Sequence, residues 1–179
     1  MKYIAVFCSS RDLDPKYIEP AKEFSRLLVQ HGYHLVFGGS DTGLMKVVAD
    51  EVRKNGGEVI GVSMQVFHNV ARKDVSEMIV ANDLGQRKAI MLDKAVAIVA
   101  LVGGLGTLDE LLHIAELKRQ KHHEKPIVVL DTDNFYEGLR VQFKKMEDDK
   151  FNAFDMREYI MFRNTPQEAI DFINEELDK

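Results

Sequence analysis

The chain has 179 residues, of which 45% are hydrophobic and 30% charged, and its formal net charge is −5. This length fits one domain with a sizeable core, so residues 1–179 are interpreted as a single domain. The mild acidity gives no bulk attraction for nucleic acid or for a membrane surface. The longest apolar run, 95–102, is too short to span a membrane, and the single cysteine excludes an internal disulfide. We therefore expect a cytoplasmic protein with no nucleic-acid partner and no membrane association.

Apolar, strand-like runs alternate with helical patterns through the first half of the chain. A strand is predicted at 4–8, and a helix follows that begins at Asp14-Pro15 and stops at Gly32. A second strand at 33–37 leads into a loop, 38–43, and a helix to Asn55. A third strand is predicted at 58–62. The segment 63–75 has weak periodicity and receives no assignment.

The same alternation continues to the carboxyl end. Strands are predicted at 77–81, 96–102, 126–130 and 159–162, and helices at 84–94, 107–120 and 134–149. Asp83 could cap the first of these helices. Thr165 and Pro166 cap and begin a terminal helix. Because the strands are almost entirely apolar, they should be buried on both faces. The pattern therefore predicts an α/β fold, a Rossmann-like open parallel sheet with helices on both faces.

The most informative loop is Gly103-Gly104-Leu105-Gly106-Thr107, between a strand and a helix. Glycines let backbone N–H groups approach an anion, and the helix behind them adds a positive dipole end. The Thr107 hydroxyl could cap the helix or contact a phosphate. Alternatively, the glycines only form a tight turn. The spacing is neither the dinucleotide G-x-G-x-x-G nor a Walker loop.

The helix after this loop contains a carboxylate in an unusual setting. Helical spacing predicts that one apolar set faces the sheet: Leu108, Leu111, Leu112 and Ala115. Glu110 then falls on the opposite side, near Ile114 and Leu117. That second apolar patch suggests a covered surface and motivates a homodimer. The simpler interpretation is that Glu110 complements the helix dipole.

Two cations lie at the start of an earlier helix, in Asp83-Leu84-Gly85-Gln86-Arg87-Lys88. The helix dipole disfavours cations there, and a bound anion would offset that cost. An arginine also suits bidentate recognition of phosphate or carboxylate. The alternative is a solvated surface pair.

Metal binding and cysteine chemistry are not indicated. None of the six histidines has metal-ligand spacing with Cys, Asp or Glu, so no metal and no cofactor are predicted. His68 is the one histidine that we consider as a pocket residue. Cys8 ends a core strand without an evident histidine partner, which favours packing over nucleophilic catalysis.

These segments together resemble the LOG ("lonely guy") family. Residues 103–110 resemble its PGGxGTxxE motif, and Gln86-Arg87-Lys88 the end of its DMHxRK motif. Phe37-Gly38-Gly39 with Gly43-Leu44-Met45 resembles its YGGG…GLMG loop, and 6–10 its FCGSS strand. The four motifs occur in order along essentially the whole chain.

The resemblance implies a homodimeric phosphoribohydrolase. Such an enzyme cleaves the N-glycosidic bond of a purine nucleoside 5′-monophosphate, giving free base and ribose 5-phosphate. The family's catalytic pair corresponds to Arg87 and Glu110. The resemblance also implies a set of phosphate- and nucleotide-binding residues: Ser9, Gly38, Gly39, Leu84, Lys88, Gly103, Gly104, Leu105, Gly106 and Thr107.

The chain departs from the family pattern around the base. Val102, Leu84, Gly85 and Ser40 replace motif residues, and Asn69 stands where we align a family glutamate. These changes leave the identity of the base open. They also leave open a non-catalytic nucleotide sensor that uses the same pocket, and an interaction protein with a vestigial pocket.

Overall fold

Seven parallel strands form one sheet in the computed structural model, which describes residues 1–151 and 154–179. Their order across the sheet is β4-β3-β2-β1-β5-β6-β7. The strands are β1 Lys2–Phe7, β2 Tyr33–Phe37, β3 Val59–Met64, β4 Glu77–Ala81, β5 Ala95–Ala100, β6 Ile127–Leu130 and β7 Met161–Arg163. The predicted Rossmann-like parallel sheet is therefore confirmed.

Helices follow the strands and cover both faces of the sheet. They are α1 Pro15–Gln30, α2 Gly43–Lys54, α3 Leu84–Lys94, α4 Leu105–Arg119, α5 Glu137–Asp148 and α6 Pro166–Leu177. Short 3-10 helices occupy Gln65–Val70, Thr132–Asn134 and Met156–Glu158. In the part of the chain described, no helix has the length and apolarity that crossing a bilayer requires.

The core consists of two apolar layers, one on each side of the sheet. Successive residues of β1 point into opposite layers, as the period of two in a strand requires. Ile4 and Val6 pack with α1, α2 and α6, while Ala5 and Phe7 pack with α3, α4 and α5. Burial of both faces explains why these strands are nearly all apolar.

Capping residues fix several helix starts where the sequence predicts them. Asp14 accepts a hydrogen bond from the Lys16 backbone, with Pro15 in the first turn of α1. Asp83 caps α3 by accepting from Gln86 N. Thr165 and Glu168 form a reciprocal capping box at the start of α6. These predictions are confirmed.

The structure corrects some predicted boundaries. α4 begins at Leu105 instead of Thr107, so Gly106 and Thr107 are helical. β5 ends at Ala100, two residues before the predicted end. The predicted helix at 134–149 starts only at Glu137, because the chain first turns through the 3-10 helix ending at Asn134, where Asp133 and Asn134 have positive φ.

The order of the strands creates a crevice at the carboxyl edge. From β1 the chain builds the sheet outward through β2, β3 and β4, and then returns to add β5 on the other side of β1. β1 and β5 are paired in parallel, with Phe7 opposite Ala100. In open parallel sheets, the loops after two such strands run in opposite directions, and the crevice between them has room for a ligand. The two predicted glycine segments follow β2 and β5.

Candidate active site

Arg87 lies on the first turn of α3, and its guanidinium reaches across the carboxyl edge of the sheet. Nη1 is 2.5 Å from Glu110 Oε1. Nε donates to the carbonyl of Val62 at 2.8 Å, and Nη2 donates to the carbonyl of Gly38 at 3.2 Å. The residue is 7% exposed. The alternative of a solvated surface pair is therefore wrong for Arg87.

Gly38 leaves the space that the guanidinium occupies. A Cβ on this glycine would overlap Arg87 Nη2 and press on Met45. The backbone carbonyl of Gly38 therefore accepts from the arginine, and the absence of a side chain at Gly38 leaves room for the guanidinium.

Glu110 lies on the buried side of α4, which corrects the predicted orientation of that helix. The buried residues of α4 are Thr107, Glu110, Leu111, Ile114 and Ala115. Leu112, which was expected to face the sheet, is 40% exposed, and Ile114 is fully buried within the subunit. The second apolar patch that motivated a dimer is therefore part of the core. Glu110 forms an ion pair there with Arg87.

Burial determines the ionisation of Glu110. Desolvation raises the pKa of this carboxyl above its ordinary value, and the charge and hydrogen bond of Arg87 oppose that rise. Asp109 raises the pKa further, and Lys88 lowers it. A glutamate in such an environment is suited to exchange a proton during a reaction.

A second ion pair lies next to the first. Lys88 Nζ is 2.9 Å from both carboxylate oxygens of Asp109. Lys88 is buried, whereas the Asp109 side chain is 51% exposed. Consecutive cations on α3 thus contact consecutive carboxylates on α4, and both pairs border the same cavity.

The glycine loop presents the N-terminus of α4 to this cavity. Gly104 is the N-cap residue, and no side chain caps the helix, so the alternative that Thr107 caps it is wrong. Thr107 is instead buried, with its hydroxyl against Gly103. The first N–H groups of a helix have no intrahelical partner, so an uncapped N-terminus suits an anion.

The cavity has a volume of about 720 Å³, within the range of small-molecule sites. Its lining brings together nine of the twelve predicted site residues: Ser9, Gly38, Leu84, Arg87, Lys88, Gly104, Gly106, Thr107 and Glu110. Gly39, Gly103 and Leu105 do not line it. Gly103 and Gly39 are buried behind it, and the Leu105 side chain projects outward, 85% exposed.

Polar groups from the loops after β1 and β2 form another part of the wall. Ser9 Oγ accepts from the Arg11 backbone at 3.0 Å, and the hydroxyls of Ser40 and Thr42 are 2.8 Å apart. Sequence reasoning missed Arg11 and Thr42 as site residues. The rule that ligands bind at the carboxyl ends of parallel strands would have indicated both loops.

An apolar part of the wall comes from the segment that the sequence left unassigned. Phe67 and Val70, in the 3-10 helix 65–70, line the cavity together with Met45 and Leu84. Asn69 and His68 do not line this cavity; Asn69 borders a separate surface groove beside Arg72. This part of the cavity wall is therefore formed by Phe67 and Val70, and Asn69 does not contribute to it.

Cys8 lies at the base of the cavity and is fully buried. Desolvation raises the pKa of its thiol well above the ordinary value, and the nearby Glu110 charge acts in the same direction. A thiol in this state is a poor nucleophile, which agrees with the packing role expected from the sequence.

Fold and site together define a Rossmann-like α/β protein with a buried arginine–glutamate pair beside an uncapped helix N-terminus. The family model described as "Possible lysine decarboxylase" matches residues 45–173. The cytokinin riboside 5′-monophosphate phosphoribohydrolase of Mycobacterium marinum is 35% identical over 147 residues, which cover 81% of this chain and 79% of that protein. A protein of the same name from Arabidopsis thaliana is 33% identical over 177 residues, covering 97% of this chain and 82% of the relative. The chain belongs to this family, the LOG family.

Solved structures share the fold at lower identity. The molybdenum cofactor binding protein of Rippkaea orientalis superposes with a TM-score of 0.75 at 22% identity, covering 98% of this chain and 97% of that one. The molybdenum cofactor carrier protein of Chlamydomonas reinhardtii gives a TM-score of 0.74 at 21% identity, covering 99% and 98%. These similarities establish the architecture alone.

Proposed function

We propose that this protein hydrolyses the N-glycosidic bond of a purine nucleoside 5′-monophosphate, AMP or an N6-substituted AMP, to free base and ribose 5-phosphate. The observation that carries the proposal is the Arg87–Glu110 pair, buried at the floor of a nucleotide-sized cavity beside the N-terminus of α4. The names of the curated relatives describe the same reaction class, and they favour a hydrolase over a protein that only binds nucleotide.

In this mechanism the 5′-phosphate binds at the α4 N-terminus. Backbone N–H groups from Gly104 to Thr107 supply donors, and the helix dipole favours the negative charge. Lys88, which contacts Asp109 in the free protein, lies close enough to the same edge of the cavity to add a cation. The ribose then extends over Glu110, and the base lies against Phe67 and Val70.

Glu110 acts at the anomeric carbon. As the bond from C1′ to the purine nitrogen breaks, positive charge develops on the ribose, and a carboxylate stabilises it. Glu110 accepts a proton from a water molecule, whose oxygen bonds to C1′. The base leaves with the electron pair of the C1′–N bond and takes up one proton from solvent, and Glu110 then returns its proton to solvent. Arg87 holds the carboxylate in place and keeps it ionised against the effect of burial.

The direct test is product formation from AMP and N6-substituted AMP, with free base and ribose 5-phosphate measured separately. Glu110→Gln should lower kcat by about 10²- to 10⁴-fold and leave the Kd for AMP nearly unchanged in calorimetry. Glu116→Gln is the matched control, because Glu116 lies on the same helix but is exposed and paired with Arg119. No product from the folded, unaltered protein, or full turnover by Glu110→Gln, would overturn the proposal.

The assembly and the location of the protein are part of the same proposal. The family resemblance implies a homodimer, and exposed leucines on α3 and α4, Leu84 and Leu112, offer apolar surface for a partner subunit. Because nucleoside monophosphates are intracellular metabolites, we place the protein in the cytoplasm.

A further inference from the structure

We infer that Tyr136, a residue outside the cavity, is a positioning residue for the glycine loop that begins α4. The inference rests on the proposed function, because it assigns that loop the 5′-phosphate. Tyr136 is 3% exposed and immediately precedes α5. It is absent from the cavity lining, so any effect on binding must pass through other residues.

The Tyr136 hydroxyl fixes the chain just before the glycines. It donates to the carbonyl of Leu101 at 2.7 Å, in a fully buried contact. Leu101 is the first residue after β5 and lies two residues before Gly103. The backbone of Gly103 also acts on the phenol, lowering the pKa of Tyr136 against the rise that burial causes. The hydroxyl therefore lies directly behind the turn that carries the loop.

The other groups of this turn are held from β1. Leu101 N donates to the carbonyl of Phe7 at 2.9 Å, and Ser9 N donates to the carbonyl of Val102 at 3.2 Å. The Leu101 carbonyl accepts from the Tyr136 hydroxyl. β1 thus secures one side of the turn, and Tyr136 the other. If the hydroxyl is removed, a buried carbonyl loses its donor, and the loop is free to shift.

Tyr136 is itself fixed by a buried carboxylate. Its backbone N–H donates to Asp131 Oδ1 at 2.7 Å, at the end of β6. The Asp131 side chain is fully buried, and its Oδ2 lies 2.9 Å from Arg140 Nη1, one turn along α5. Placing a carboxylate in the core is costly unless it is paired, and Oδ2 accepts no hydrogen bond among the described residues, so the ion pair with Arg140 compensates its charge. The result is a chain of contacts from Arg140 to the glycine loop.

This arrangement predicts an effect on phosphate recognition without an effect on the chemical step. A small displacement of the loop moves the α4 N–H groups, which contact the phosphate in substrate and transition state alike. Tyr136→Phe should therefore raise the KM for AMP while kcat changes little. If Tyr136 only stabilises the fold, Tyr136→Phe should lower the melting temperature and leave both KM and kcat unchanged.

The experiment compares Tyr136→Phe with Tyr33→Phe. Tyr33 also donates a 2.7 Å hydrogen bond, to Asn174 Oδ1, but on the opposite side of the sheet from α5. The probe is ribose 5-phosphate, titrated by calorimetry, with free adenine as the phosphate-free probe. We expect about a fivefold or greater rise in the Kd of ribose 5-phosphate for Tyr136→Phe, no change for adenine, and no change in either for Tyr33→Phe.

The outcomes separate this inference from the proposed function. If the unaltered protein fails to bind ribose 5-phosphate, the glycine loop does not hold the phosphate and the inference fails, while the proposed hydrolysis is still decided by product formation from AMP. If the unaltered protein and Tyr136→Phe bind ribose 5-phosphate with equal affinity, the inference alone is overturned. The same holds if Tyr136→Phe loses affinity for ribose 5-phosphate and for adenine equally. Should Tyr136→Phe not fold, Asp131→Ala must show the same selective loss, since it removes the acceptor that fixes the Tyr136 backbone N–H.

Discussion

In the proposed mechanism, catalysis depends on the protonation state of one buried carboxylate, Glu110. Because burial raises the pKa of Glu110, its carboxylate forms only at a pH above the ordinary glutamate value. Activity should therefore rise with pH through an apparent pKa higher than that value. The folded state also holds this proton more tightly than the unfolded chain does, so the contribution of Glu110 to stability decreases as the pH rises between the two pKa values.

Arg87 is the group that limits this shift, which gives a prediction with a definite sign. Removing its charge in Arg87→Met takes away the effect that lowers the pKa of Glu110. The residual activity should then have its acid limb displaced to higher pH, measured as kcat/KM across the pH range. Glu116→Gln serves as the control with an unshifted profile. A displacement to lower pH would contradict the assignment of Glu110 as the group that must be ionised.

The sequence identified Arg87 and Glu110 as site residues but not the contacts between them. Motif resemblance selects Glu110 and Arg87, and the structure brings them together. The direction in which Glu110 points was predicted wrongly, because α4 is apolar on more than one side and its periodicity does not locate the centre of the buried face. Its burial depends on Arg87, 23 residues away, which a local pattern does not reveal.

Two glycines at the start of α4, Gly103 and Gly106, differ in whether the fold has space for a side chain. A Cβ on Gly103 would overlap Thr107, whereas a Cβ on Gly106 meets nothing. Gly106 lies in the first turn of α4, so Gly106→Ala should stabilise the fold by at most about 0.5–1 kcal/mol, because alanine loses less backbone entropy in a helix than glycine does. If the phosphate binds at this turn, the same methyl group obstructs it, and the Kd for AMP rises although the protein is more stable.

The matched variant, Gly103→Ala, should lose stability and binding together, because Thr107 must move. Thermal unfolding and AMP calorimetry on both variants measure the two effects separately. Undiminished AMP affinity in Gly106→Ala would place the phosphate elsewhere in the cavity.

The elements themselves were largely predictable, because apolar strands and capped helices leave local signals. The runs at 33–37 and 77–81 match β2 and β4, and Asp83 caps α3 as expected. The 3-10 helix at 65–70 left no such signal. Its residues are all exposed, so no buried stripe generates a periodic pattern. Part of the cavity wall therefore lies in a segment for which the sequence predicts no element.

At the scale of the whole molecule, the site exists only because the sheet order brings distant segments together. Arg87 contacts the carbonyl of Gly38, 49 residues away, and that of Val62, 25 residues away. Alternating strands and helices predict a doubly wound sheet, and that class places ligands where neighbouring strands leave in opposite directions. The sequence thus indicated the edge of the sheet that carries the site. The contacts within the site follow from tertiary packing.

At the scale of the whole molecule, the proposed homodimer needs an exposed apolar surface on the subunit. Ile114, once expected at a subunit interface, is buried within the subunit, so a dimer must use other surface. Leu112 on α4 is the candidate, because it is an exposed leucine on the helix that carries Glu110. A buried, unpaired carboxylate at an interface is strongly unfavourable, so Leu112→Glu should convert a dimer to a monomer without lowering the free energy of unfolding of the subunit.

Light scattering at micromolar protein concentration measures the molecular mass and so distinguishes a dimer from a monomer. Val141→Glu provides the matched control, because Val141 is an exposed apolar residue on α5 and receives the same charge. We expect a dimer for the unaltered chain and for Val141→Glu, and a monomer for Leu112→Glu. A monomeric mass for the unaltered chain would contradict the proposed homodimer, whereas a dimeric Leu112→Glu would move the interface away from this face of α4. Turnover measured on the same samples then shows whether the cavity beside α4 needs the second subunit, since an independent site retains its kcat and KM in the monomeric variant.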